Sequence, residues 1–98
     1  MKELKAAAAK AFPTSFAGVI ELSPEGLPSI WIDGRKSKPK IDSEAPKGAA
    51  DCVWRGAQDT LLRVLQGERA LESAYLSGHI AISGDMSIMS RLEMGAAR

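Results

Sequence analysis

His79 and Cys52 are the one histidine and the one cysteine of the sequence, so a nucleophile–base pair or a metal cluster has a single copy of each to draw on. A zinc site wants several nitrogen or sulfur ligands, and no second histidine exists to complete one. Cys52 precedes Val53 and Trp54 in a run that reads as a buried strand. Desolvation disfavours a thiolate there, whereas a reactive cysteine needs an electropositive, partly exposed setting. His79 alternates with Ala81 against Ile80 and Ile82, which puts it on the solvent side of a strand. The carboxylates Asp33, Asp42, Glu44, Asp51, Asp59, Glu68, Glu72, Asp85 and Glu93 are scattered, and no spacing marks an acid/base couple. Asp59 and Asp85 fall at helix starts, where negative charge supports the helix without any chemistry. Gly18 and Gly56 are isolated, so no phosphate-cradling loop is present. The expectation is a protein with no catalytic residue, no metal and no cofactor.

Composition narrows the classes further. With 45% apolar and 26% charged residues the chain matches an average globular protein. Its 98 residues suit a single domain over residues 1–98. A net charge of +1 gives no bulk attraction to nucleic acid. A lone cysteine cannot form an internal disulfide, which favours a reducing compartment. The opening MKELKAAAAK is charged and lacks the apolar stretch of a secretion signal, and no apolar run nears the roughly 20 residues that span a bilayer. A cytoplasmic location is expected.

The elements that would position these residues can be read from punctuation and periodicity. Residues 2–12 are rich in alanine and lysine, with Leu4, Ala8 and Phe12 at helical spacing ahead of Pro13. Residues 16–22 and 27–32 are β-branched runs around Ser23-Pro24-Glu25-Gly26, which predicts a hairpin. In residues 35–41, Lys36, Lys38 and Lys40 alternate with Ser37, Pro39 and Ile41. A strand there would carry three lysines on one face, and charge with proline marks a protected sheet edge. Residues 43–50, containing Lys47, read as a loop, and 51–55 as a short strand. Helices follow over 56–66, with Leu61, Leu62 and Leu65, and over 68–76, with Ala70, Leu71, Ala74 and Tyr75 on the apolar side. A last strand over 79–83 and a final helix over 86–94, capped by Asp85, complete an α+β fold: a five-stranded mixed sheet with helices covering one face.

The apolar side chains are the remaining feature. Ile30 and Ile32, Cys52 and Trp54, and Ile80 and Ile82 would share the covered sheet face. Leu61, Leu62, Leu65, Leu71 and Tyr75 would lie opposite, joined by Ile88, Met89 and Leu92. Periodicity alone does not tell a solid core from one split by a cavity. The basic edge (Arg35, Lys36, Lys38, Lys40) suits either a solvated margin or transient contact with an anionic membrane surface. Interleaved aromatics are missing, so no stacking platform for single-stranded nucleic acid exists.

From Asp51 to about Leu92 the chain resembles the sterol carrier protein family, the type-two or non-specific lipid-transfer domain. The resemblance rests on Ala50-Asp51-Cys52, Leu61-Leu62 before Gly67, Ser73-Ala74-Tyr75 with Gly78, Ile80-Ala81-Ile82-Ser83-Gly84-Asp85-Met86, and Ser90-Arg91-Leu92. Upstream, Ile30-Trp31-Ile32 and the basic strand fit more loosely, and the first helix hardly at all. The resemblance implies a hydrophobic tunnel between helices and sheet that carries a sterol, fatty acid, fatty acyl thioester or phospholipid. Its lining would include Trp54, Leu62, Leu65, Tyr75, Ile82, Ile88, Met89 and Leu92, with Ile32 and Leu71 of the same apolar faces. Trp54 is bulkier than the aliphatic residue expected at a tunnel wall. The chain stops soon after the final helix, so a longer C-terminal lid would be short or missing, and no peroxisomal tripeptide closes it. These features fit a bacterial-style, stand-alone cytoplasmic version. Two functions follow as expectations: a lipid carrier or presenter, or a non-catalytic accessory subunit of a lipid- or quinone-modifying complex. The second would bring a protein partner, and a homodimer is also compatible.

Overall fold

The computed structural model describes residues 2–12, 14–46, 48, 50–85 and 87–88. Alanine and lysine are strong helix formers, and α1 (Lys2–Ala11) follows from them. Leu4, Ala7, Ala8 and Ala11 face inward and are buried, as is Phe12 beyond the last turn. Glu3 in the first turn and Lys10 in the last match the helix dipole.

Strands β1 (Val19–Pro24) and β2 (Ile30–Asp33) form the expected antiparallel hairpin. Its turn is Pro24-Glu25-Gly26-Leu27, one residue later than the sequence pattern suggests, closed by the Leu27 N–H donating to the Pro24 carbonyl at 3.2 Å. Gly26 supplies the φ of +74° that the third turn position requires. The first strand begins at Val19 rather than Phe16. Ala17 sits at φ +58°, which breaks the extended chain, and the N–H groups of Phe16 and Ala17 both donate to the Gly34 carbonyl.

The lysine-rich edge needs correction. β3 (Lys40–Asp42) is indeed the edge strand, but it is short, and Lys36 and Lys38 lie in the loop before it. Only Lys40 belongs to the strand, so the lysines do not share one strand face. The cause is Asp33, whose carboxylate accepts the Arg35 backbone N–H at 3.1 Å and ends β2 in a turn.

β4 (Cys52–Gly56) pairs parallel with β1, and β5 (Ile80–Gly84) antiparallel with β4. The sheet order is β3-β2-β1-β4-β5, so the five-stranded mixed sheet predicted from sequence is observed. Between β4 and β5 run α2 (Gln58–Leu65) and α3 (Leu71–Leu76). Each ends on a glycine at positive φ, Gly67 at +79° and Gly78 at +83°. Two backbone bonds close each end: Gly67 N–H to Val64 O and Glu68 N–H to Arg63 O, then Gly78 N–H to Tyr75 O and His79 N–H to Ala74 O. The first of these closures explains why α3 starts at Leu71 and not at Glu68. The Glu68 N–H already completes the end of α2, so the chain must turn before a new helix can begin. Of the helix read over 86–94, only Ser87 and Ile88 are among the described residues, as a single 3₁₀ turn; the rest lies outside them. At its expected cap, Asp85 Oδ1 accepts the Ser87 N–H at 2.9 Å and the Ser87 hydroxyl at 2.6 Å.

Register decides which side chains face the helices. One row across the sheet is Ile41, Ile32, Ile20, Cys52 and Gly84; the next is Ile30, Leu22, Trp54 and Ile82. Their apolar members are buried or packed against the core, whereas Glu21, Ser23, Trp31, Arg55 and Ala81 occupy the other face. α1 packs against α2 and over β3, and α2 packs over β1, which covers the apolar rows. Fully burying an aliphatic or aromatic side chain of this kind is worth roughly 1.5–3 kcal/mol, so these rows dominate the stability.

Candidate functional site

The helix-facing sheet surface and the helices above it form one continuous buried cluster, and no polar or charged residue is buried among the described residues. Its centre is aromatic. Trp54 is fully buried with its ring 5.9 Å from Phe12, and Phe12 in turn lies 5.6 Å from Phe16. The interior near these rings is therefore occupied by the protein's own side chains, in line with the bulk of Trp54 noted from sequence. The ring arrangement leaves the Trp54 indole Nε1 buried without a hydrogen-bond partner. A buried donor in that state costs about 1–3 kcal/mol.

A groove of about 460 Å³ opens between α1 and α2, lined by Glu3, Ala6, Ala7, Lys10, Leu65 and Gln66. Its floor is Leu65 and Ala7, both members of the buried cluster. Its rim is polar, with Glu3, Lys10 and Gln66. The groove exists because Ala6 and Ala7 carry too little bulk to fill the space between the two helices.

The residues read from sequence as ligand-lining are distributed unevenly around this arrangement. Ile32, Trp54, Leu65 and Ile88 are fully buried, and Leu62, Leu71 and Ile82 are partly buried against the same cluster. Tyr75 departs from its expected place on the apolar side of α3: it is 41% exposed, and Ala70 is exposed at the helix cap. The delayed start of α3 is the reason, since a six-residue helix turns only Ala74 fully inward. Met89, Leu92 and Lys47 lie outside the described residues. Of the predicted set, Leu65 alone among the described residues lines the groove. The α1 residues there were missed because their signal is small size, not hydrophobic periodicity.

The reactive side chains behave as their settings dictate. Burial pushes the Cys52 thiol up, opposed in smaller measure by the Trp54 side chain beside it. His79 is exposed, with Nδ1 2.9 Å from Arg69 Nη2 and 2.8 Å from Ser77 Oγ. Because the guanidinium only donates, Nδ1 must accept, so the proton of the neutral ring sits on Nε2. Asp51 ties β1 to β4, its Oδ2 accepting the Val19 N–H at 2.8 Å. Asp33 is held below its ordinary value chiefly by the side-chain hydrogen bonds from Arg35. Among the described residues no group of three or more histidine, cysteine or carboxylate side chains could hold a metal ion. No helix among them is long and apolar enough to cross a membrane.

Comparison with known proteins gives this arrangement its relatives. The model of the SCP-2 sterol transfer family matches residues 1–95. The chain belongs to that family. No curated protein matches the sequence. Among solved structures, sterol carrier protein 2 from Yarrowia lipolytica in its apo form matches with a TM-score of 0.63 at 16% identity, over 90% of this chain and 75% of that one. A ubiquinone synthesis protein, UbiJ-SCP2, matches with a TM-score of 0.60 at 18% identity, over 93% of this chain and 71% of that one. Palmitated SCP2L2 from Aedes aegypti matches with a TM-score of 0.58 at 16% identity, over 92% and 84% of the two chains. At these identities the structures share a fold with this SCP-2 chain. The family match extends over α1, which the sequence patterns had barely connected to it.

Proposed function

We propose that this chain, a single domain over residues 1–98, binds one lipid-like molecule between its helices and sheet and carries or presents it without catalysis. The observation that carries the reading is the groove between α1 and α2, whose floor of Leu65 and Ala7 is continuous with an interior free of buried polar side chains among the described residues. A hydrocarbon chain there gains roughly 0.8 kcal/mol for each methylene removed from water, so affinity needs few polar contacts. Family membership supports the same reading, and one solved relative is itself described as palmitated. The proposed binding residues are Leu65 at the groove and Ile32, Trp54, Leu62, Leu71, Ile82 and Ile88 of the adjoining cluster, with Met89 and Leu92 carried over from the family resemblance. The protein acts in the cytoplasm. The exposed loop with Lys36 and Lys38, next to Lys40, supports brief contact with an anionic membrane surface during loading.

Native mass spectrometry of protein purified from cells tests this reading. A co-purifying lipid mass, removable by delipidation and restored by added fatty acid, is expected. A clean apo protein that takes up no lipid and instead holds a second protein would replace the carrier with an accessory subunit.

A further inference from the structure

Among the described residues, Trp54 Nε1 is the one buried side-chain nitrogen or oxygen without a hydrogen-bond partner. It lies mid-sheet, in the row Leu22, Trp54 and Ile82, on the face the helices cover. Phenylalanine would keep most of the ring packing against Phe12 without burying an unpaired donor. The Cys52 thiol feels the Trp54 side chain, but its sulfur is a weak acceptor and does not give the indole N–H a hydrogen-bond partner. A donor left open in an apolar interior is matched when an acceptor arrives with a guest.

We infer that the Trp54 indole N–H is the polar anchor of the bound lipid, and that the lipid is one whose buried end carries a neutral oxygen acceptor: a ketone, ester or hydroxyl. This assignment rests on the carrier reading and narrows its ligand class. A charged end is excluded from this position by the surroundings. No cationic side chain is buried among the described residues, and one indole N–H does not offset the desolvation of a carboxylate. An ionised lipid instead leaves its charge at the groove rim, where Lys10 stands. The two ligand classes then differ in their dependence on Trp54.

The test uses the full chain and three sixteen-carbon probes delivered from cyclodextrin: 2-hexadecanone, hexadecane and palmitate. In a Trp31→Phe variant the Trp54 indole gives the sole indole ¹H–¹⁵N resonance. Hexadecanone is expected to move it downfield, and hexadecane to leave its hydrogen-bond shift unchanged. Trp54→Phe is expected to weaken hexadecanone about tenfold more than it weakens hexadecane or palmitate, the value of one neutral buried hydrogen bond. If hexadecanone binds without moving the indole resonance, or Trp54→Phe weakens all three probes alike, the anchor is overturned and the carrier reading stands. If none of the probes binds the wild-type chain, both fall. The resonance titration keeps Trp54 intact, so the test survives even if Trp54→Phe folds poorly.

Discussion

Leu65 is where stability and ligand capacity should move in opposite directions. It is 1% exposed, part of the buried cluster, and also the floor of the groove between α1 and α2. Leu65→Ala removes three carbons, which at roughly 0.8 kcal/mol each amounts to about 2.4 kcal/mol of lost transfer energy. Sealed core sites add a cavity penalty that carries leucine-to-alanine changes toward 5 kcal/mol. Here the vacated space joins an open groove, so the cost should stay near the lower limit, about 2–3 kcal/mol in urea unfolding. The same space lengthens the groove by about three methylenes. A ligand long enough to reach it gains up to roughly 2.4 kcal/mol, or about 50-fold in affinity, whereas shorter chains gain nothing. Displacement of a fluorescent fatty acid by acids of graded length would read this directly. Leu65→Trp should do the reverse, closing the groove at an overpacking cost of about 1–3 kcal/mol and abolishing probe binding. The reasoning is refuted if Leu65→Ala changes affinity equally at every chain length, or if Leu65→Trp binds the probe as the wild type does.

Three further outcomes follow from named contacts. Cys52, buried and with its thiol pushed up, should resist iodoacetamide in the native state and react at the rate of global opening; rapid stoichiometric alkylation in native buffer would contradict the placement. Gly56→Ala would put its Cβ 2.6 Å from the His79 carbonyl oxygen of the neighbouring chain segment, a backbone atom with little room to yield. It should cost about 2–3 kcal/mol and lower the melting temperature by roughly 10 °C or more, and a wild-type melting curve would count against the β4–β5 register. Asp33 has a depressed folded value, so its pairing with Arg35 favours the folded state above the ordinary aspartate range near 4 and fades as pH falls through the lower folded value. Asp33→Asn should therefore be less stable than wild type at pH 7 and indistinguishable from it near pH 2, and a constant difference between the two pH values would remove the ion pair from the account.

What the sequence made legible was mainly the inward-facing pattern. Alternation put Ile30, Ile32, Cys52, Trp54, Ile80 and Ile82 on one face, and register brings them together there. Glycines 67 and 78 marked both helix ends correctly because only a residue at ease in positive φ closes them. Alternation does not say which strands are neighbours, however, so the parallel pairing of Leu22 with Trp54 had no local signal. The lysine alternation misled because Asp33, by capturing the Arg35 N–H, turns the chain before Lys36 and Lys38 can join a strand. Tyr75 misled because the end of α2 takes the Glu68 N–H and shifts the phase of α3. The groove was invisible for a different reason. Hydrophobic patterns register bulk, and the groove is made by its lack at Ala6 and Ala7.

That origin says how a ligand must enter. The sheet side of the interior is filled by Trp54, Phe12 and Phe16, so room for a guest has to come from the helix layer moving as α1 and α2 separate. Both helices line the groove, with Ala6 on one side and Gln66, the residue capping α2, on the other. Joining Ala6→Cys to Gln66→Cys with a short bismaleimide would hold them at one spacing, while buried Cys52 stays out of the reaction. The joined protein should melt at or above the wild-type temperature, because a cross-link restricts the unfolded chain. Its loading with fluorescent fatty acid should nevertheless slow by tenfold or more, and the same double variant left unjoined should load normally. Equal loading by the joined and unjoined forms would show that lipid reaches the interior without α1 and α2 parting, and the assignment of the groove as the mouth would have to be abandoned.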